Sequence, residues 1–262
     1  MRSQAATRLT IAVLLFSGSA VLSSESARAR SRPASGPAAP RAAQSNPEAC
    51  RQELSVIESA VGAAADDLQL GARYRQAAIR CEQFDRSIEF FERLVKAHSA
   101  SAHAHINLGF AYIDKIPPSS DLRQALLGRS AVQQFTKALA LRRTWLAYYT
   151  RGVARLYYPN IFGVWKDAAD DLERALAAQK TEAANPYFAR TYVALGDTYY
   201  WRFHDLERAR RTWTEGAAQF PDEQALRLRL ASPVLEMREI VRKAVSPDVR
   251  VDTSLRQFDA EK

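Results

Sequence analysis

The sequence predicts an all-α protein: about four helical hairpins stacked side by side, with capping helices at both ends. Three observations predict it. Glycine is scarce, 10 residues in 262, and no stretch alternates apolar and polar residues between tight turns, so strands have little support. Within residues 192–221, Tyr192, Leu195, Gly196 and Tyr199 share one face of a helix, and Ala209, Trp213 and Gly216 share one face of a second. Small residues recur in the same phase upstream. One hairpin cannot bury its own apolar face, so further copies must cover it. Hydrophobic residues make up 47% of the chain, enough for such a core.

Residues 1–29 read as a secretory signal. Arg2 and Arg8 supply a positive start, residues 9–16 form a short apolar run, and Ala27-Arg28-Ala29 is a small-x-small cleavage site. The run is well short of the roughly 20 residues that cross a bilayer, so cleavage is expected over retention as an anchor. No later stretch could span a membrane, and the expected location is the periplasm or the exterior. Residues 30–45 are rich in Pro, Ala and Ser and read as a disordered or polyproline-like linker. The helical domain is then expected over 46–245.

Asn46-Pro47 opens the first helix, an N-cap followed by proline at the first helical position, and the same grammar recurs at Asn185-Pro186 and Ser232-Pro233. This helix caps the stack. Its start lies beside the end of a second helix, residues 66–80, if the two fold back at Ala64-Ala65. Cys50 and Cys81 then face each other, and export to an oxidising compartment favours a disulfide between them. The alternative is two small buried residues.

Four hairpins follow. Tyr74, Ala78, Ser87, Phe91 and Leu94 mark the first, with Arg75 where the other copies carry glycine. Leu108, Gly109, Tyr112, Ala131, Phe135 and Ala138 mark the second; Tyr148, Gly152, Arg155, Ala168, Leu172 and Ala175 the third; residues 192–221 the fourth. The step from Arg75 to Gly109 is 34 residues, and the next two are 43 and 44. The excess falls mainly within the hairpin turns, on one edge of the stack. Ser120 is placed to cap a helix that starts early, at Asp121, and runs to about Leu141. The third hairpin carries an aromatic insert at residues 157–165. Pro221 ends the fourth, Asp205 caps its second helix, and two further helices, near 222–231 and from Ser232-Pro233 onward, cover the far end. Residues 246–262 lack a clear period and are either an extended segment laid on the surface or a disordered tail.

The 34-residue step and the glycine–aromatic phase resemble the tetratricopeptide repeat over about residues 66–221. The family's terminal proline is kept only at Pro221; Ser99, Arg143 and Lys180 stand at the other places. The resemblance implies a right-handed α-solenoid whose first helices line a concave groove, and a binding scaffold rather than an enzyme. By helical phase the groove-facing, partner-binding positions are Arg73, Gln76, Arg80, His103, Asn107, Phe110, Asp114, Tyr149, Tyr157, Arg190, Asp197, Tyr200 and Trp201. Aromatic side chains supply area at low entropic cost, and arginine grips carboxylates at two points, which suits an extended peptide. The competing reading is that Phe110, Tyr149 and Trp201 pack between neighbouring repeats. Some family members clamp a C-terminal carboxylate; Asn107 fits that pattern, but Ala72, Gln76, Leu146 and Thr150 do not.

The formal charge is +8, but the basic residues are interspersed with acids, which fits a solvated helical surface rather than a nucleic-acid site. His98, His103 and His105 are close in sequence, yet the latter two fall on different helix faces and no acid joins them, so no metal is expected. There is no nucleophile elbow, phosphate loop or haem motif, and no catalytic residue or cofactor is assigned. The expected function is an exported, non-enzymatic scaffold that binds another envelope protein or a peptide segment of one. A small-molecule-binding accessory subunit of a periplasmic transport system is the alternative.

Overall fold

The computed structural model describes residues 46–156, 165–245 and 252–255. The expected signal (1–29), the linker (30–45), the insert at 157–164 with Tyr157, and most of the 246–262 segment lie outside the described residues. Among the described residues the protein is all-helical: α1 (Pro47–Ala63), α2 (Leu68–Arg80), α3 (Phe84–Ala97), α4 (Ala102–Asp114), α5 (Asp121–Leu141), α6 (Trp145–Leu156), α7 (Trp165–Gln179), α8 (Ala189–Arg202), α9 (Leu206–Gln219), α10 (Gln224–Ala231) and α11 (Val234–Ala244).

Local chemistry sets most starts. The side chains of Asn46, Asp67, Ser101 and Asp205 accept backbone N–H bonds from Glu48, Leu70, Ala104 and Arg208, satisfying donors that a helix start leaves free. Asn185 does the same for Tyr187, but there the chain first makes a 3-10 turn, Pro186–Phe188, before α8 begins. Ser120 stands at the N-cap of α5 in extended backbone, yet its hydroxyl makes no capping bond.

Hairpins α4–α5, α6–α7 and α8–α9 close on their glycines. A Cβ on Gly109 would come within 2.4 Å of Phe135, and one on Gly196 within 2.2 Å of Trp213. Glycine is therefore needed where the large partner ring fills the hairpin. The first hairpin is built differently. Tyr74 lies 4.7 Å from Phe90 and 5.6 Å from Phe91, ring centre to ring centre, so aromatic bulk fills the space between α2 and α3. Trp145, Trp213, Tyr74, Phe91 and Phe135 are among the largest fully buried side chains.

Helix α1 is bonded to α2 through Cys50–Cys81, with the Cα atoms 5.8 Å apart. Glu58 of α1 accepts from the Tyr74 hydroxyl at 2.6 Å and from Arg86 of α3 at 2.9 and 3.1 Å. Burial alone would raise the Glu58 carboxyl, but the bonds from Arg86 and Tyr74 outweigh it and hold it below its ordinary value of 4.5. The stability this contributes is present above the unfolded carboxyl value and is lost as pH falls through the lower folded value. The urea midpoint of the wild-type chain should therefore drop more steeply between neutral and acid pH than that of Glu58→Gln, which starts lower at neutral pH.

Ion pairs are buried at successive interfaces: Arg75–Asp114 between α2 and α4, Arg151 and Arg155 on Asp171 between α6 and α7, and Arg229–Asp197 between α10 and α8. No helix among the described residues is long and apolar enough to cross a membrane.

Candidate peptide groove

The first helices of the hairpins supply a shared surface, and residues 252–255 lie on it. Of the two expectations for residues 246–262, a segment laid on the surface or a disordered tail, the four described residues agree with the first. Thr253 and Leu255 are buried, at 5% and 3% exposed, while Asp252 is exposed and Ser254 half-buried. Four bonds and one ion pair engage their polar atoms. Arg75 Nη2 donates to the Thr253 carbonyl at 2.7 Å, and Gln69 Nε2 donates to the Leu255 carbonyl at 3.3 Å. The Thr253 hydroxyl donates to Asp114. Asp252 pairs with Arg190 at 3.5 Å and accepts the Ser254 N–H at 3.0 Å. Leu255 joins the apolar cluster of Phe110, Phe135, Trp145, Leu146 and Tyr187, beside a cavity of about 60 Å³.

Arg75 is the centre of this arrangement. It is fully buried, donates to Asn107 Oδ1 at 3.1 Å and Asp114 Oδ2 at 2.8 Å, and its guanidinium lies 4.9 Å from the centre of the Phe110 ring. Burial pulls its pKa below the usual arginine value, while the charge and hydrogen bond of Asp114 act the other way. Arg190 lies 4.2 Å from the Tyr187 ring centre, and Trp145 stacks on Tyr149 at 5.1 Å. Burial pushes the Asp252 carboxyl up, but bonds from Ser254 and the charge of Arg190 outweigh it, so the carboxyl sits below its ordinary range. A second cavity of about 390 Å³ continues past Tyr149, Val153 and Arg190 towards Glu223 and Val245.

The positions assigned from sequence divide. Phe110, Tyr149 and Arg190 line the first cavity, and Tyr149 and Arg190 also line the second. Asn107 and Asp114 face Arg75, but they are 1% and 6% exposed, with polar atoms committed to Arg75, Leu68 and Thr253. Asp197 lines the second cavity but is buried and held at 2.5 and 2.6 Å by both arms of Arg229. Arg80 turns the other way and pairs with Glu53 of α1. Arg73 is exposed and Gln76 half-buried on α2. The His103 ring bonds the Asp66 carbonyl at 2.8 Å. Tyr200 and Trp201 pack half-buried against the core of the last hairpin, with Tyr200 6.3 Å from Trp213. Among the described residues no three His, Cys, Asp or Glu side chains are grouped to hold a metal.

The sequence reading missed Arg75, Gln69, Trp145 and the segment itself. One signal was visible: Arg75 occupies the phase that glycine holds in the other hairpins.

Solved structures of tetratricopeptide-repeat proteins share this architecture. The chain is similar to TTC0263, a thermophilic protein of this class from Thermus thermophilus: 19% identity, 74% of this chain and 100% of that one covered, TM-score 0.53. Weaker likenesses are to MamA, at 19% identity, 71% and 94% coverage and TM-score 0.46, and to YrrB, described as having an unusual peptide-binding site, at 15%, 79% and 99%, and 0.44. No protein-family model matches the sequence, and no curated protein does. The chain therefore has the tetratricopeptide-repeat fold.

Proposed function

We propose that this chain is an exported, non-enzymatic scaffold that binds an extended segment of another envelope protein along its first helices. The observation that carries this reading is the occupied groove. A four-residue stretch of non-helical chain is held there through two main-chain carbonyls, one hydroxyl, one carboxylate and one apolar side chain. That is the contact pattern of peptide recognition, with main-chain bonds for affinity and pockets for specificity. The export signal in residues 1–29 and the Cys50–Cys81 bond both support an oxidising compartment.

The test is a photocrosslinking residue at Tyr149 in cells that make the protein, with the same residue at exposed Arg174 of α7 as control. A single envelope protein should be captured from the first position and not the second. Tyr149→Ala with Arg190→Ala should reduce its binding at least about tenfold, or 1.4 kcal/mol. Equal capture from both positions, or a mature mass that retains the first 29 residues, would count against the reading.

A further inference from the structure

Residues 252–255 show what the groove selects. Each contact assigns one ligand position. The acidic side chain of Asp252 meets Arg190. The hydroxyl of Thr253 meets Asp114, and its carbonyl meets Arg75. Ser254 is half-buried, and its N–H turns back to Asp252, so this position tolerates variation. Leu255 enters the aromatic cluster, and Gln69 holds its carbonyl. We infer that the groove recognises an extended segment of the pattern acidic, hydroxyl, any residue, leucine, and that residues 252–255 are a resident copy which a partner bearing the same chemistry must displace. This rests on the peptide-binding reading above and deepens it.

Three physical points favour selection over incidental packing. Buried Arg75 and Asp114 would keep unmatched hydrogen-bonding capacity if the segment left without replacement, which is costly in a dry site. Their alignment with one carbonyl and one hydroxyl fixes the register of whatever lies there. Leu255 takes a left-handed backbone, φ 56°, which is unfavourable for a non-glycine residue, so the contacts of the groove must offset it. The cavity of about 60 Å³ beside Leu255 leaves space for a larger apolar side chain, so a displacing ligand has room to fit better than the resident.

A tethered ligand also sets an affinity threshold. Its effective concentration is on the order of millimolar for a short tether, so the same sequence supplied as a free peptide must compete against that. The experiment uses the full-length chain, its Leu255→Asp variant and a fluorescent peptide of residues 250–257. Anisotropy should show the peptide binding the variant at least about tenfold more tightly than the wild type, as expected when a competitor is removed. A peptide with aspartate in place of leucine should bind neither. Thr253→Gly, which adds no charge, should give the same order if Leu255→Asp does not fold. Equal binding to wild type and variant, or equal binding of the control peptide, would overturn the inference. So would a concentration-dependent dimer abolished by Leu255→Asp, since the occupant would then come from a second copy.

The two readings fail separately. If an envelope protein crosslinks at Tyr149 but the peptide does not displace it, the ligand pattern is wrong and the scaffold role stands. If the peptide binds the opened chain and no partner is captured, the pattern stands and the scaffold role fails.

Discussion

Asp114→Ala should destabilise the protein by about 3–5 kcal/mol, because it leaves the Arg75 guanidinium buried without a counter-charge. Arg75 has no exposure and Asp114 has 5% at the side chain, so water cannot replace either partner. Arg75→Ala should cost a similar amount for the mirror reason. The double variant Arg75→Met with Asp114→Leu should recover most of the loss, since a packed apolar pair does not carry the desolvation cost of ions. Urea unfolding of the four chains checks this as a double-mutant cycle. Recovered stability should not restore the groove: the double variant has neither the donor for the Thr253 carbonyl nor the acceptor for its hydroxyl. If both single variants lose less than about 1 kcal/mol, in the range of exposed ion pairs, the pair is solvated and the account of the groove is wrong.

Replacing both cysteines by serine should cost about 3–4 kcal/mol, the loop-closure term for cysteines 31 residues apart. The loss should be local. Helix α1 lies at the end of the stack, beyond the α2 contacts of residues 252–255, so it should gain hydrogen exchange while α8 and α9 keep their protection. Alkylation without reduction should leave both cysteines unlabelled by mass, and labelling of either in the folded chain would contradict the bond.

Much of this architecture was legible. The bounds of α5, Asp121–Leu141, follow from a sustained apolar phase after a Pro-Pro-Ser-Ser break. Gly196 and Trp213 announce a close hairpin because only a residue without a Cβ admits an indole there. The groove was less legible. Helical phase places Arg73, Gln76 and Arg80 towards the partner if every first helix keeps the same face against its own hairpin. In α2 Tyr74 keeps that face against Phe90 and Phe91 of its own hairpin, but the premise fails at the glycine position, where Arg75 turns to α4. Asp197 looked available because its partner, Arg229, lies in a terminal helix with poorly spaced leucines. Residues 252–255 had no signal at all. A non-helical segment has no internal period, and its contacts join residues from 62 (Asp252 and Arg190) to 186 positions apart, which no local pattern records.

Those separations have a consequence for how the molecule holds together. In an array whose units touch only their neighbours, stability is nearly a sum of local terms, and the ends can melt independently. Residues 252–255 bond Gln69 and Arg75 in the first hairpin and Arg190 in the last. They act as a drawstring that makes the fate of one end depend on the other. With the drawstring seated, α2 through α8 should open as one cooperative body; with the segment out and the groove empty, the ends are free to open separately. Occupancy of the groove is thus also a setting of the stiffness of the whole repeat array.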